Sequence, residues 1–268
     1  TFTEIYSKKY QIDINDIIKE KSQIIKKTGI LEYITNLGDM SNVGGLDNLK
    51  EWLDDARYSF DHEATEYGVD TTRGLIITGF PGTGKTLTAK SIAYNWNLPL
   101  LKMNMNDILD SHVGKTEQNM ARALDLAESI SPCILFIDEM EKALAGGNGE
   151  SDGGTSTRMM NILLTWLSDK EKPVFVIGTA NDITGLRPEL TRAGRFDEIF
   201  FASVPSLNER VDILKIHLRK RGYHVLSEGE TPTEANELSI EQLTKVAEHM
   251  NDFTGAEIEQ VVSNVGRK

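Results

Sequence analysis

The sequence holds one cysteine, Cys133, in 268 residues, and five histidines with no metal-ligand spacing. A lone thiol cannot close an internal disulfide, so packing must hold the fold and a reducing compartment is expected. Cys133 stands at the edge of an apolar run, which marks a packed thiol rather than a nucleophile. Histidines without HxxxH or paired-cysteine patterns predict no structural metal site. No run of eighteen apolar residues exists, so no membrane-spanning helix is expected, and Thr1–Gln11 lacks the apolar stretch of a secretory signal. Positive charge is scarce: 29 Lys and Arg against 41 Asp and Glu leave a formal charge of −12. That balance argues against a general nucleic-acid binder, whose phosphate contacts need clustered bases. The Arg219-Lys220-Arg221 cluster falls at the end of a helical run, where it complements the helix dipole.

Apolar residues at 39% and charged residues at 26% describe an ordinary globular composition. Four blocks separate along the chain. Residues 1–40 carry Ile14, Ile17, Ile18, Ile24, Ile25 and Leu31 among Lys and Glu, which predicts an amphipathic helical extension outside the core. Residues 41–74 open with Val43-Gly44-Gly45-Leu46 and continue into a helix around Asn48–Arg57. From 75 to 204, apolar runs near Leu75–Thr78, Leu100–Asn104, Ile134–Ile137, Val174–Thr179 and Glu198–Phe201 alternate with helical segments. Such alternation predicts an α/β fold, a parallel sheet with helices on both faces. After Pro205 only helices are expected. Ser206 can cap Leu207–Arg221, Ser239 can cap Ile240–Met250, and Gly255 opens a last helix. Ser227–Glu237 reads as an exposed polar loop and Gly146–Gly154 as a glycine-rich one. The expected domains are therefore 1–40, 41–204 and 205–268.

The chemistry begins at Gly79-Phe-Pro-Gly-Thr-Gly-Lys85-Thr86, a GxxxxGK[ST] run between a short apolar strand and a helix. Glycines let successive N–H groups point into one concavity, and the following helix adds its positive end, so a triphosphate is the natural occupant. Ile134–Ile137 then delivers Asp138 and Glu139 to the carboxyl edge of the sheet. Asp138 is placed to share a Mg²⁺ shell with the Thr86 hydroxyl, and Glu139 to polarise an attacking water. Asn181, after the Val174–Thr179 run, offers an amide suited to holding both a γ-phosphate and that water. Arg192 and Arg195 stand three apart on one loop, an arrangement that suits a neighbouring subunit's triphosphate better than their own.

Val43-Gly44-Gly45, the phosphate loop, Asp138-Glu139, Asn181 and the Arg192–Arg195 block together resemble an AAA ATPase of the subfamily with a second region of homology. The resemblance covers about residues 41–268. Ile24–Tyr33, Val43–Trp52, and Leu87–Lys90 followed by Asn95–Pro99 are more closely similar to AAA proteins encoded as conserved open reading frames in plastid and cyanobacterial genomes. It implies a P-loop NTPase core with a small C-terminal helical lid, placed in a plastid stroma or in the cytoplasm of a cyanobacterial or virus-infected cell. It implies ATP and Mg²⁺ as cofactors and a homo-oligomeric ring, usually of six. By residue, it puts Pro81, Gly82, Thr83, Gly84, Lys85, Thr86 and Leu87 on the phosphates, with Thr86 and Asp138 on Mg²⁺. Glu139 becomes the base, Asn181 the first sensor, and Arg192 and Arg195 fingers acting across an interface. Adenine falls between Val43–Gly45 and Gly255-Ala256. The implied partner is a protein client; an assembly factor or loader on nucleic acid or ribonucleoprotein is the alternative.

Two segments depart from the family pattern. The pore-loop aromatic is replaced in His112-Val113-Gly114, so brief tugging or switching of a partner's conformation, rather than processive threading, is expected. The inter-subunit signalling segment, often Asp-Gly-apolar, reads Thr165-Trp166-Leu167-Ser168.

Overall fold

The computed structural model describes residues 22, 23, 25, 28–60, 64, 66–108, 115–141, 154–182, 184, 188–192, 194–227, 229–234 and 236–265. The His112-Val113-Gly114 segment, most of the Gly146–Gly154 loop and residues 1–21 lie outside them.

Each expected apolar run becomes a strand: β2 Gly74–Gly79, β3 Leu100–Met103, β4 Cys133–Ile137, β5 Val174–Ala180 and β6 Glu198–Ala202. The central strands β2, β4 and β5 are buried along their whole length, as strands covered on both faces are. A further strand, β1 Leu31–Ile34, corrects the helical reading of that stretch. It pairs antiparallel with β3, Leu31 opposite Met103, at the edge of the sheet. Ile25 and Leu31 are both buried in the main core, so this segment packs with the sheet. Only four residues long and next to Gly29, the strand was too short for its period to stand out against the preceding isoleucines.

The sheet order is β1-β3-β4-β5-β2-β6, parallel throughout except for β1. Helices α1 Asp47–Tyr58 and α2 Lys85–Trp96 pack on one face; α3 Lys115–Ile130 and α4 Thr155–Asp169 pack on the other. The first face closes on aromatics: Trp96 lies 4.6 Å from Phe175, with Phe60 edge-on to Phe175 at 5.9 Å and Trp52 against Phe200 at 5.7 Å. The second face is mostly aliphatic, with Met120, Leu124, Leu163 and Leu167 against Leu135 and Val176. Each fully buried aliphatic side chain of this kind contributes roughly 1.5–3 kcal/mol. Thr165–Ser168 is part of α4, and Trp166 Nε1 donates to Glu128 Oε1 on α3 at 2.7 Å. That indole is thus committed to joining two helices of the same subunit.

Beyond Pro205, α5 Leu207–Arg219, α6 Ile240–Glu248 and α7 Gly255–Val265 enclose a small core of their own. Ser206 and Ser239 form capping boxes with Glu209 and Gln242. Buried Arg210 staples this unit, donating to the carbonyls of Ala247 and Pro205, both at 3.0 Å, and to Asn251 Oδ1 at 2.8 Å. The unit is not purely helical: β7 His224–Val225 and β8 Glu237–Leu238 pair in parallel around the polar 227–236 loop. Two-residue strands carry no readable period, which is why the sequence did not announce them. No described helix is long and apolar enough to cross a membrane.

Lys170, just after α4, is buried, its ammonium donating to the Val174 carbonyl at 2.7 Å. Burial pushes it down from 10.5 to about 8, reinforced by Arg73 and opposed by Asp197. Because the folded value lies below the unfolded one, the unfolded chain binds more protons between about pH 8 and 10.5, so stability rises with pH across that window. Lys170→Met removes this term. The parent should gain roughly 3 kcal/mol relative to the variant between pH 7 and pH 10.5. Urea unfolding at both ends of the window reads the difference; parallel pH slopes would contradict it.

Candidate nucleotide site

Parallel register brings three loops to one edge. β5 lies between β2 and β4, with Thr179 opposite Ile77 and Gly178 opposite Ile137. The turn after β2, the acids after β4 and the amide after β5 therefore open on a single cavity of about 430 Å³. Val43, Gly44, Pro81, Gly82, Thr83, Gly84, Lys85, Thr86, Leu87, Asp138, Glu139, Asn181, Gly255 and Ala256 all line it. Gly45, Arg192 and Arg195 do not. Gly45, at φ +70, stands beside the Glu209 side chain on α5. Arg192 is exposed, and Arg195 is half-buried with its guanidinium donating to the Glu189 carbonyl.

At the phosphate end, α2 begins at Lys85 with no side chain capping its first turn. Its leading N–H groups and positive dipole end are thus available to an anion. Gly84 sits at φ +86 with open space where a Cβ would stand. Gly82, at φ +82, has no room for one: an added Cβ would lie 2.9 Å from Thr254 Oγ1 and 3.2 Å from Ala256 Cβ. The Ala256 N–H donates to the Gly82 carbonyl at 3.0 Å, joining the loop to the start of α7. Lys85 folds its ammonium onto the carbonyls of Gly79 (2.7 Å) and Phe80 (2.8 Å). Burial pushes its pKa down, opposed by Glu141, Asp138 and Glu139. A desolvated cation held at the mouth of an uncapped helix fits a polyanion.

The acids form a hydrogen-bonded chain. Thr179 Oγ1 donates to Asp138 Oδ1 at 2.7 Å and accepts from the Glu139 N–H at 3.1 Å. Lys102 Nζ meets Asp138 Oδ2 at 3.0 Å. Asn181 Nδ2 donates to Glu139 Oε1 at 3.2 Å. Glu139 itself takes φ +50, a conformation a glutamate adopts only where the surroundings enforce it. Behind them, Glu141 Oε1 accepts from the Asn181 N–H at 3.0 Å, while its Oε2 is buried with no hydrogen-bond partner. The base end is apolar, with Val43, Ile213, Ile216 and Ala256. His217 closes it, its imidazole pushed down by burial against the opposing pull of Glu259 at 3.8 Å.

Residues 75–204 match the ATPase family associated with various cellular activities (AAA). The chain carries an AAA domain. It is 44% identical over 249 residues, 93% of its length, to the uncharacterized AAA domain-containing protein ycf46 of Trieres chinensis, and covers 48% of that protein. The ycf46 protein of Guillardia theta is 44% identical over 246 residues, 92% of this chain and 46% of the relative. That of Pyropia yezoensis is 42% identical over 263 residues, 97% and 51% respectively. The chain thus spans about half the length of these curated relatives.

Sequence reasoning missed several residues of the AAA domain's cavity and of its surroundings. Thr179, Lys102 and Glu141 belong to no motif; only the register of β5 against β4 and the neighbouring turns reveals what they hold. Ile213, Ile216 and His217 read as one face of an ordinary amphipathic helix. Thr179→Val keeps the volume but removes the one hydroxyl that fixes both Asp138 and Glu139. Nucleotide affinity should stay near that of the parent while hydrolysis falls ~10- to 100-fold. Equilibrium titration alongside single-turnover hydrolysis tests this, and an unchanged hydrolytic rate would refute it.

Proposed function

We propose that the chain hydrolyses ATP with Mg²⁺ in a ring-shaped oligomer and uses the cycle to remodel a protein partner. The observation that carries the reading is one cavity lined by Lys85, Thr86, Asp138, Glu139 and Asn181, with an apolar base end opposite. A hydroxyl and a carboxylate are hard oxygen donors of the kind that suit Mg²⁺. Thr86 and Asp138 would hold the ion, which when bound neutralises phosphate charge. The Lys85 ammonium exchanges its two loop carbonyls for phosphate oxygens, a stronger charge-assisted pairing.

The Glu139 carboxylate accepts a proton from the attacking water, and Asn181, already on Glu139 Oε1, keeps that carboxylate aimed. Asp138 is held between the Thr179 hydroxyl and the Lys102 ammonium. Val43, Ile213 and Ala256 bury the base. Arg192 and Arg195 stand outside this chain's own cavity, which supports a role at a neighbouring subunit's phosphates. A protein client is favoured over nucleic acid by the net charge of −12. We infer a plastid stroma as the setting, from the similarity to the algal relatives.

Glu139→Gln should bind ATP normally and hydrolyse it 10²- to 10⁴-fold more slowly. Arg195→Ala should also be slow. Mixed, the two should recover part of the activity, because one subunit of each shared site keeps the base while its neighbour keeps the arginine. Titrating one variant into the other and measuring released phosphate checks this; a mixture no more active than the sum of its parts would refute the shared site.

A further inference from the structure

Helix α1 starts badly by its own means. Its N-cap is Leu46, in a left-handed conformation at φ 59, with no side chain to accept from the first turn. The N–H of the N-cap residue itself is served from the lid: Glu209 Oε1, on α5, accepts the Leu46 N–H at 3.3 Å across 163 residues of sequence. Its other oxygen accepts the Ser206 N–H at 2.8 Å and closes the capping box of α5. One carboxylate therefore serves the amino ends of two helices, one in each unit. Burial alone would raise its pKa, but the hydrogen bonds from Ser206 and Leu46 and the Lys50 ammonium hold it below the usual carboxylate range.

The loop it grips is the one that backs the base end of the cavity. Gly45 lies so close that an added Cβ would stand 2.2 Å from Glu209 Oε1. One turn further along α5, Ile213 presses on Gly44, where a Cβ would stand 2.7 Å from Cγ1, and itself lines the cavity. Lys50 completes the arrangement by donating to the Val43 carbonyl at 2.9 Å. Lid, loop and base pocket thus share a polar fastening beside an apolar contact.

We propose that Glu209 is a positioning residue, a latch that fastens the helical lid to the 43–46 loop and sets how long nucleotide stays bound. The latch rests on the nucleotide reading above and adds a means of regulation to it. Truncating the carboxylate leaves Leu46 N–H uncapped and frees the loop from α5, so the base pocket opens more often, while the Asp138–Thr179–Glu139 chain at the other end is untouched.

The test uses the full chain, a fluorescent ADP analogue chased by unlabelled ADP in stopped flow, and single-turnover hydrolysis at saturating ATP. Glu209→Ala should speed analogue dissociation ~10-fold or more, the worth of a hydrogen bond to a charged group, and raise KM, with the single-turnover rate held. Gly45→Ala, which displaces the carboxylate without removing it, should speed dissociation in the same direction. Ser239→Ala weakens only the capping box of α6; it should lower stability and leave dissociation at the parent rate. Parent-like dissociation in both Glu209→Ala and Gly45→Ala would overturn the latch alone. Failure of the parent chain to bind the analogue would bring down the nucleotide reading and the latch with it.

Discussion

The placement of β5 between β2 and β4 is the constraint on which the site depends. Parallel strands in register end at the same edge, so the loops that follow them are neighbours however far apart they lie in sequence. Lys85, Asp138 and Asn181 are separated by tens of residues and yet line one cavity. The sheet can hold that register because both faces are dry: aromatics cover one and aliphatics the other. Thr179 converts register into chemistry, since its hydroxyl faces the turn after β4 and binds both Asp138 and the backbone of Glu139. The left-handed φ of Glu139 is held by that contact and by Asn181.

Electrostatics at the site are arranged around charges that have been taken out of water. Lys85 is buried against carbonyl oxygens, with three carboxylates nearby but none bonded to it. Asp138, by contrast, already has a full cationic partner in Lys102. An arriving polyanion therefore gains from Lys85 and from the uncapped start of α2 without first breaking a salt bridge there. The lid contributes in two places: Ala256 bonds the phosphate loop, and Glu209 bonds the loop at the base end. Core and lid are thus tied at both ends of the same cavity.

Much of this was legible in the residues. The phosphate loop, the five parallel strands and the three lid helices with their serine caps announce themselves through glycine spacing, apolar runs and capping chemistry. What could not be read has physical reasons. β1 and the β7–β8 pair are too short to show a period. Gly44 and Gly45 read alike in the sequence, and only the fold shows that a Cβ on Gly45 would meet the Glu209 side chain. Thr179, Lys102, Glu141 and His217 act through neighbours distant in sequence, and no local pattern encodes such a partner. Trp166, met as a variant of an interface signal, is occupied in joining α4 to α3.

The central claim is that the cavity at the carboxyl edge of β2, β4 and β5 binds a nucleoside triphosphate through the Lys85 ammonium. Calorimetric titration of the parent chain and of Lys85→Ala with ATP and Mg²⁺ tests it most directly. The parent should show saturable binding of about one nucleotide per chain, and the variant a loss of at least ~10-fold in affinity, the scale of a charge-assisted contact. Equal affinity in a folded Lys85→Ala protein, or no binding to the parent, would contradict it.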